Sequence, residues 1–158
     1  MNNSGHGQQL EWIRSQNGSI PATGIAQGVE RDGRPLFIAR GFYKGALHPG
    51  KAAPHLANGG FEFSWGGQAI RLNEYFVLSG DINRTKWVRV SGPVPQDNAL
   101  KLVDGGHEEN GNLLYVAKAE HRGSLQLGKA GNHLPNGMSF AYDNKEEYKH
   151  EYYVLAYR

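Results

Sequence analysis

Two acidic and two basic residues recur in this chain at one fixed spacing. Glu30 stands 21 positions before Lys51, and Glu108 stands 21 positions before Lys129. An ionised carboxylate only accepts hydrogen bonds, and it takes two hydroxyl protons at once, while an ammonium group supplies three donors. Charge-assisted bonds are roughly twice as strong as neutral ones, so one acid and one lysine suffice to anchor a small polyhydroxylated ligand such as a pyranose. The same residues admit two other readings. Acid and lysine form a surface ion pair that holds a loop, a contact of only about 0–1 kcal/mol. Or Glu30 and Glu108 act together as the paired carboxylates of a glycosidase, which requires them about 5–10 Å apart across one sugar.

The spacing is part of a larger self-match. Residues 28–51 (GVERDGRPLFIARGFYKGALHPGK) align without a gap on residues 106–129 (GHEENGNLLYVAKAEHRGSLQLGK), at a constant offset of 78. Gly28/Gly106, Gly33/Gly111, Leu36/Leu114, Ala39/Ala117, Gly45/Gly123, Leu47/Leu125 and Gly50/Gly128 are identical, as are the acids and lysines. Such a fixed period marks a tandem duplication. Flanking segments repeat too: Trp12 opens WIRSQNGSIP and Trp87 opens WVRVSGPVP, while Glu74–Leu78 (EYFVL) is echoed by Glu151–Leu155 (EYYVL). The expected division is a frayed tail at 1–9, a first repeat at 10–84 and a second at 85–158.

The elements that must carry these residues read as strands. Asp32-Gly33 and Asn110-Gly111 are two-residue hairpin signals, whose turn takes positive φ at both central positions. They precede the apolar segments LFIAR and LLYVAK. Each acid then lies at a sheet rim where a strand meets a loop, and a glycine before each lysine is expected to turn the chain sharply and project the lysine back over that rim. No convincing amphipathic helix is present. The expected fold is all-β: two pseudo-symmetric repeats of short antiparallel strands, each too small for its own core and so sharing or exchanging strands.

Composition narrows the function classes. The chain has 158 residues and a formal net charge of +2, with Lys and Arg scattered, so a nucleic-acid groove or a basic membrane-binding face is not indicated. No apolar run approaches a membrane span, and none forms a signal-peptide core within the polar start MNNSGHGQQ, so the expected location is the cytoplasm, with release by a signal-independent route as the alternative. There is no cysteine, hence no disulfide framework and no thiolate nucleophile or metal site. His55 and His133 read as hydrogen-bonded turn histidines, since no partner stands at a zinc-ligand spacing. No EF-hand loop occurs, and no cofactor is expected. Trp12 and Trp87, repeated in both halves, read as core residues before sugar-stacking ones. Trp65 is unrepeated and reads equally as a ligand contact or a core filler. Tyr43 and His121 stand between acid and lysine and are placed as secondary contacts at the rim.

Taken together, the opening Trp with Ile-Pro or Val-Pro, the Gly-x-acid step, LFIAR/LLYVAK, the G-x-L-x-x-G-K segment and the closing EYxVL strand resemble the DM-nine repeat lectins, from Trp12 to Tyr157. The resemblance implies an antiparallel β fold, a homodimer, and recognition of mannose-type glycans without metal, one site per repeat, in microbial recognition or agglutination. It also implies that the sugar-contacting pairs are Glu30 with Lys51 and Glu108 with Lys129. Better-studied members carry Asp at the acidic position, whereas this chain carries Glu, one methylene longer. On this reading the protein is a binding module and not an enzyme; a purely structural or assembly protein is the alternative.

Overall fold

The computed structural model describes residues 9–158; most of the expected N-terminal tail lies outside the described residues. The first repeat forms β1 (Glu11–Gln16), β2 (Ala26–Val29), β3 (Pro35–Tyr43), β4 (Ala46–Ala52), β5 (Phe61–Trp65), β6 (Gln68–Leu72) and β7 (Glu74–Ser79). A single 3-10 turn at Ile82–Arg84 leads into the second. That repeat forms β8 (Thr85–Ser91), β9 (Asp104–His107), β10 (Leu113–His121), β11 (Ser124–Ala130), β12 (Met138–Tyr142), β13 (Lys145–Lys149) and β14 (Glu151–Tyr157). The protein is all-β, as expected.

The strands do not stay within their own repeat. Their order is β1-β7-β3-β2-β11-β12-β13-β6-β5-β4-β9-β10-β14-β8, which reads the same backwards when each strand is exchanged for its counterpart. β2 pairs with β11 through Val29 and Leu125, and β4 pairs with β9 through Leu47 and His107. The additional pairings β3–β4 and β10–β11 close the sheet on itself. The reason is burial. A unit of this size is small for an independent core. The central cluster therefore draws Ile25, Leu36, Ile38 and Leu78 from one half and Val103, Val116, Leu127 and Leu155 from the other. Two flanking clusters each belong to one repeat, one around Phe61, Phe63 and Tyr75, the other around Met138, Phe140 and Tyr152.

Two local expectations are corrected. Asp32-Gly33 and Asn110-Gly111 do not form two-residue turns. Only the glycines take positive φ, +94° and +92°. Glu30 and Glu108 are themselves the first turn residues: the Gly33 and Gly111 amides donate to their carbonyls, and their own amides donate to the carbonyls of Arg34 and Asn112. This is the three-residue hairpin that ends in a left-handed glycine. Asp32 and Asn110 serve it by accepting from the amides two residues on. Two-residue turns with positive φ at both positions lie elsewhere, among them Asn17-Gly18, Lys44-Gly45, Arg122-Gly123, Gly66-Gly67 and Asp143-Asn144.

The glycine before each lysine makes no turn either. His48-Pro49-Gly50 lies inside β4 and Gln126-Leu127-Gly128 inside β11. A Cβ on Gly50 would stand 2.2 Å from the Glu62 carbonyl oxygen, and one on Gly128 2.1 Å from that of Ser139. The glycines are required by close approach of the neighbouring strand, and the lysines that follow point into the sheet's interior.

Candidate functional site

Strand pairing determines which residues face each lysine. Lys51 is opposite Glu62 on β5, and Glu62 is opposite Arg71 on β6. In the second half Lys129 is opposite Ser139, and Ser139 is opposite Tyr148. Both lysines are buried, at 3% and 5% exposure, where the sequence places them over an open rim. Burial lowers both pKa values; for Lys129 it brings the ammonium down to about 8 against the opposing pull of Glu108 and Glu146.

The acids are held first by histidine. Glu30 Oε2 meets His55 Nε2 at 2.8 Å, and Glu108 Oε2 meets His133 Nε2 at 2.9 Å. Both pairs are 25 positions apart. That equal spacing was the available signal for the pairing, and it was missed by reading His55 and His133 as turn residues alone.

Each site is completed across the duplication. Lys51 Nζ donates to Gln126 Oε1 at 2.6 Å and to the Ala141 carbonyl at 2.8 Å, and its Nζ lies 3.7 Å from Glu62 Oε1. Gln126 Nε2 donates to Glu30 Oε1 at 3.2 Å. Arg71 Nε donates to the other Glu62 oxygen at 2.8 Å, and Arg71 also reaches Asn144 Oδ1. Both Glu30 oxygens and all three Lys51 donors are therefore engaged within the protein.

The second site has the same frame with fewer internal partners. Lys129 Nζ meets His48 Nδ1 at 2.9 Å and donates to the Ser64 carbonyl at 2.6 Å. Burial, with Lys129 and His107 nearby, pushes the His48 pKa down to about 3, so the ring is neutral and accepts at Nδ1. Among the described residues, the third Lys129 donor, Glu108 Oε1 and His48 Nε2 have no hydrogen-bond partner. Ser139 and Tyr148 stand where Glu62 and Arg71 fill the first site. Here a cleft of about 270 Å³ opens, lined by Glu108, Lys129, Ser139, Glu146, Trp65 and Tyr148 among others. Trp65 and Tyr148 are 40% and 51% exposed and supply aromatic surface at its edge. Glu146 is fixed by accepting from the Gly67 amide at 2.9 Å.

Tyr43 and His121 do not line this cleft. Tyr43 packs edge-on against Phe63 and Trp65, with ring centroids 5.4 and 5.3 Å apart. His121 packs in the same way on Phe140 and Tyr142, at 5.1 and 4.5 Å. They support aromatic neighbours, and Tyr43 orients the Trp65 ring that lines the cleft. Glu30 does not line it either; its carboxylate is held by His55 and Gln126. Trp12 and Trp87 are partly buried against the central cluster, each beneath a cation: Arg40 at 4.2 Å and Lys118 at 4.3 Å.

This fold is a duplicated, strand-exchanged β architecture with one acid–histidine–lysine network per repeat. A family model for the DM9 repeat matches residues 4–58 and 42–150, and the chain belongs to the DM9 repeat family. The crystal structure of the nematode sperm cell motility protein MFP2B has the same fold, with a TM-score of 0.64 at 19% identity. The match covers 94% of this chain and 46% of that one, so this chain spans less than half the length of that relative. A search of curated protein sequences returned no match.

Proposed function

We propose that this protein binds neutral hexose glycans of the mannose type, without metal, in the cleft formed by Glu108, Lys129, Trp65 and Tyr148. One observation carries the reading: this cleft leaves a carboxylate oxygen and an ammonium donor unused beside exposed aromatic rings. A pyranose needs that set, acceptors and donors for vicinal hydroxyls and an apolar surface for its C–H face. The volume lies just below the roughly 300–1,000 Å³ of drug-sized ligand pockets, which suits one sugar unit. Glu108 accepts from one or two hydroxyls, Lys129 donates to a neighbouring oxygen, and Glu146 accepts from the far side.

Each such bond replaces a bond to water, so a single site is weak. A homodimer presents two clefts, and paired engagement raises avidity by about 10²–10⁴ where the glycan spans them. This suits recognition or agglutination of mannose-rich, including microbial, surfaces. The role is binding and not catalysis.

Calorimetric titration of EDTA-treated protein with mannose and a branched mannose oligosaccharide, with galactose as control, tests the proposal. Heat on mannose addition that disappears in Glu108→Gln is the expected result. A flat trace from folded protein removes the sugar assignment. The second reading, an assembly protein, then leads; it draws on the likeness in fold to a protein named for sperm cell motility.

A further inference from the structure

A separate cleft of about 560 Å³ lies on the second repeat, with Trp87, Lys118, Glu120, Lys149 and Tyr153 in its lining. None of these lines the Glu108 cleft. Lys118 is half-buried, with its Nζ 4.3 Å from the Trp87 ring centre. Among the described residues its hydrogen bonding amounts to one long contact, 3.5 Å to Gln27 Oε1, an oxygen that already accepts from Trp87 Nε1 at 2.8 Å. Among the described residues it forms no ion pair.

The first repeat shows what is missing. Arg40 is the counterpart of Lys118 and sits over Trp12 in the same way. Burial lowers its pKa, and the Asp104 carboxylate, which forms no ion pair with it, favours its charge from a distance. Asp104 pairs with Tyr115 on the neighbouring strand, and the residue at the matching register in the first repeat, opposite Phe37, is Ala26. Lys118 thus faces an alanine position where its counterpart has a carboxylate, and only burial acts on it. The rims differ as well. Phe42 and Phe76 close edge to face at 5.8 Å in the first repeat, whereas Glu120 and Tyr153 line the open cleft in the second.

We propose that this cleft is a second ligand site, for a carboxylate-bearing sugar of the hexuronic class, whose carboxylate pairs with Lys118. The ligand carboxylate accepts from the two unused Lys118 donors. Lys149 adds a second positive charge at the rim, Glu120 accepts from ligand hydroxyls, and Tyr153 supplies ring surface. Arg89 and Glu151 also line the cleft, where they pair with each other. The site does not depend on the mannose reading of the first cleft.

Ligand-observed NMR titration with D-glucuronate, against D-glucose at equal ionic strength, tests it. The expected result is saturable binding of glucuronate that exceeds glucose at least tenfold. It weakens at least tenfold in Lys118→Gln, and equally in Ala26→Asp, which installs the absent carboxylate at an exposed position and gives Lys118 a partner within the chain. The Ala26→Asp variant keeps the test decisive if Lys118→Gln does not fold. Equal responses to glucuronate and glucose, or glucuronate binding that survives both substitutions, overturn the proposal.

Discussion

In the first repeat Lys51 faces Glu62 and Arg71; in the second Lys129 faces Ser139 and Tyr148. The surrounding frame is common to both: the acid on the hairpin turn, its histidine 25 positions on, and the lysine bonded to a backbone carbonyl of the other repeat. The first site satisfies its charges with side chains of the protein itself. The second leaves them partly unused at an open cleft. The two frames are equivalent, and they differ in the side chains around them: Glu62 and Arg71 against Ser139 and Tyr148, and Gln126, which bonds both Lys51 and Glu30, against His48, which bonds Lys129 alone.

The largest contrast is expected in stability. Lys51→Met strands Glu62 beside a carbonyl and an amide that lose their donor. Breaking a buried pair costs roughly 3–5 kcal/mol, here near the lower end because Arg71 still holds Glu62. Lys129→Met leaves only a carbonyl and a neutral histidine without their donor, a cost of about 1–3 kcal/mol. Relief of a buried charge offsets most or all of that. Urea unfolding at neutral pH measures both, and equal losses would contradict the difference between the sites.

The pH dependence of Lys129 sharpens the contrast. Its folded pKa, about 8, lies below the ordinary 10.5. Between those values the unfolded chain binds the extra proton, so this group makes stability rise with pH across that window. Below pH 8 its charge opposes folding by a constant amount, on the order of 3 kcal/mol. The stability difference between the wild type and Lys129→Met therefore shifts in favour of the wild type from about pH 8 to 10.5. A constant difference across the window would show that burial does not disfavour the ammonium.

A transplant tests the two-residue distinction itself. Glu62→Ser with Arg71→Tyr removes the carboxylate beside Lys51 and the arginine that holds it, and is expected to raise mannose stoichiometry from one toward two per chain. An unchanged stoichiometry in the folded double variant would show that the first frame lacks more than space. The smallest effect is expected at the histidines. His55→Gln and His133→Gln each cost about 0.5–1.5 kcal/mol, the value of one hydrogen bond. On the proposed reading Glu108 and not Glu30 contacts the sugar, so only His133→Gln is expected to weaken binding; equal binding losses would place a sugar in both sites.

Much of the fold was legible in the chain. The match of residues 28–51 to 106–129 announced the duplication, and alternating segments such as EYFVL announced strands. Strand exchange was expected because one repeat buries too little. The turn chemistry was only half legible: a Gly after Asp or Asn signals both two- and three-residue hairpins, and the choice depends on how the flanking strands pair. Gly50 and Gly128 carried a packing requirement that sequence does not distinguish from a turn. The acid and lysine positions were legible, but their environment was not. Burial of the lysines comes from β5 and β12 crossing over them. The Glu62/Ser139 and Arg71/Tyr148 differences gain meaning only once register places them opposite the lysines.

The central claim, that the second repeat alone presents a usable sugar site, is tested most directly by calorimetric stoichiometry with mannose in three proteins: the wild type, Glu30→Gln, and Ser139→Glu with Tyr148→Arg. The account predicts one site per chain in the wild type, one in Glu30→Gln, and none in the double variant, which carries the first repeat's internal partners into the second. Two sites in the wild type, or binding lost in Glu30→Gln and kept in the double variant, would contradict it.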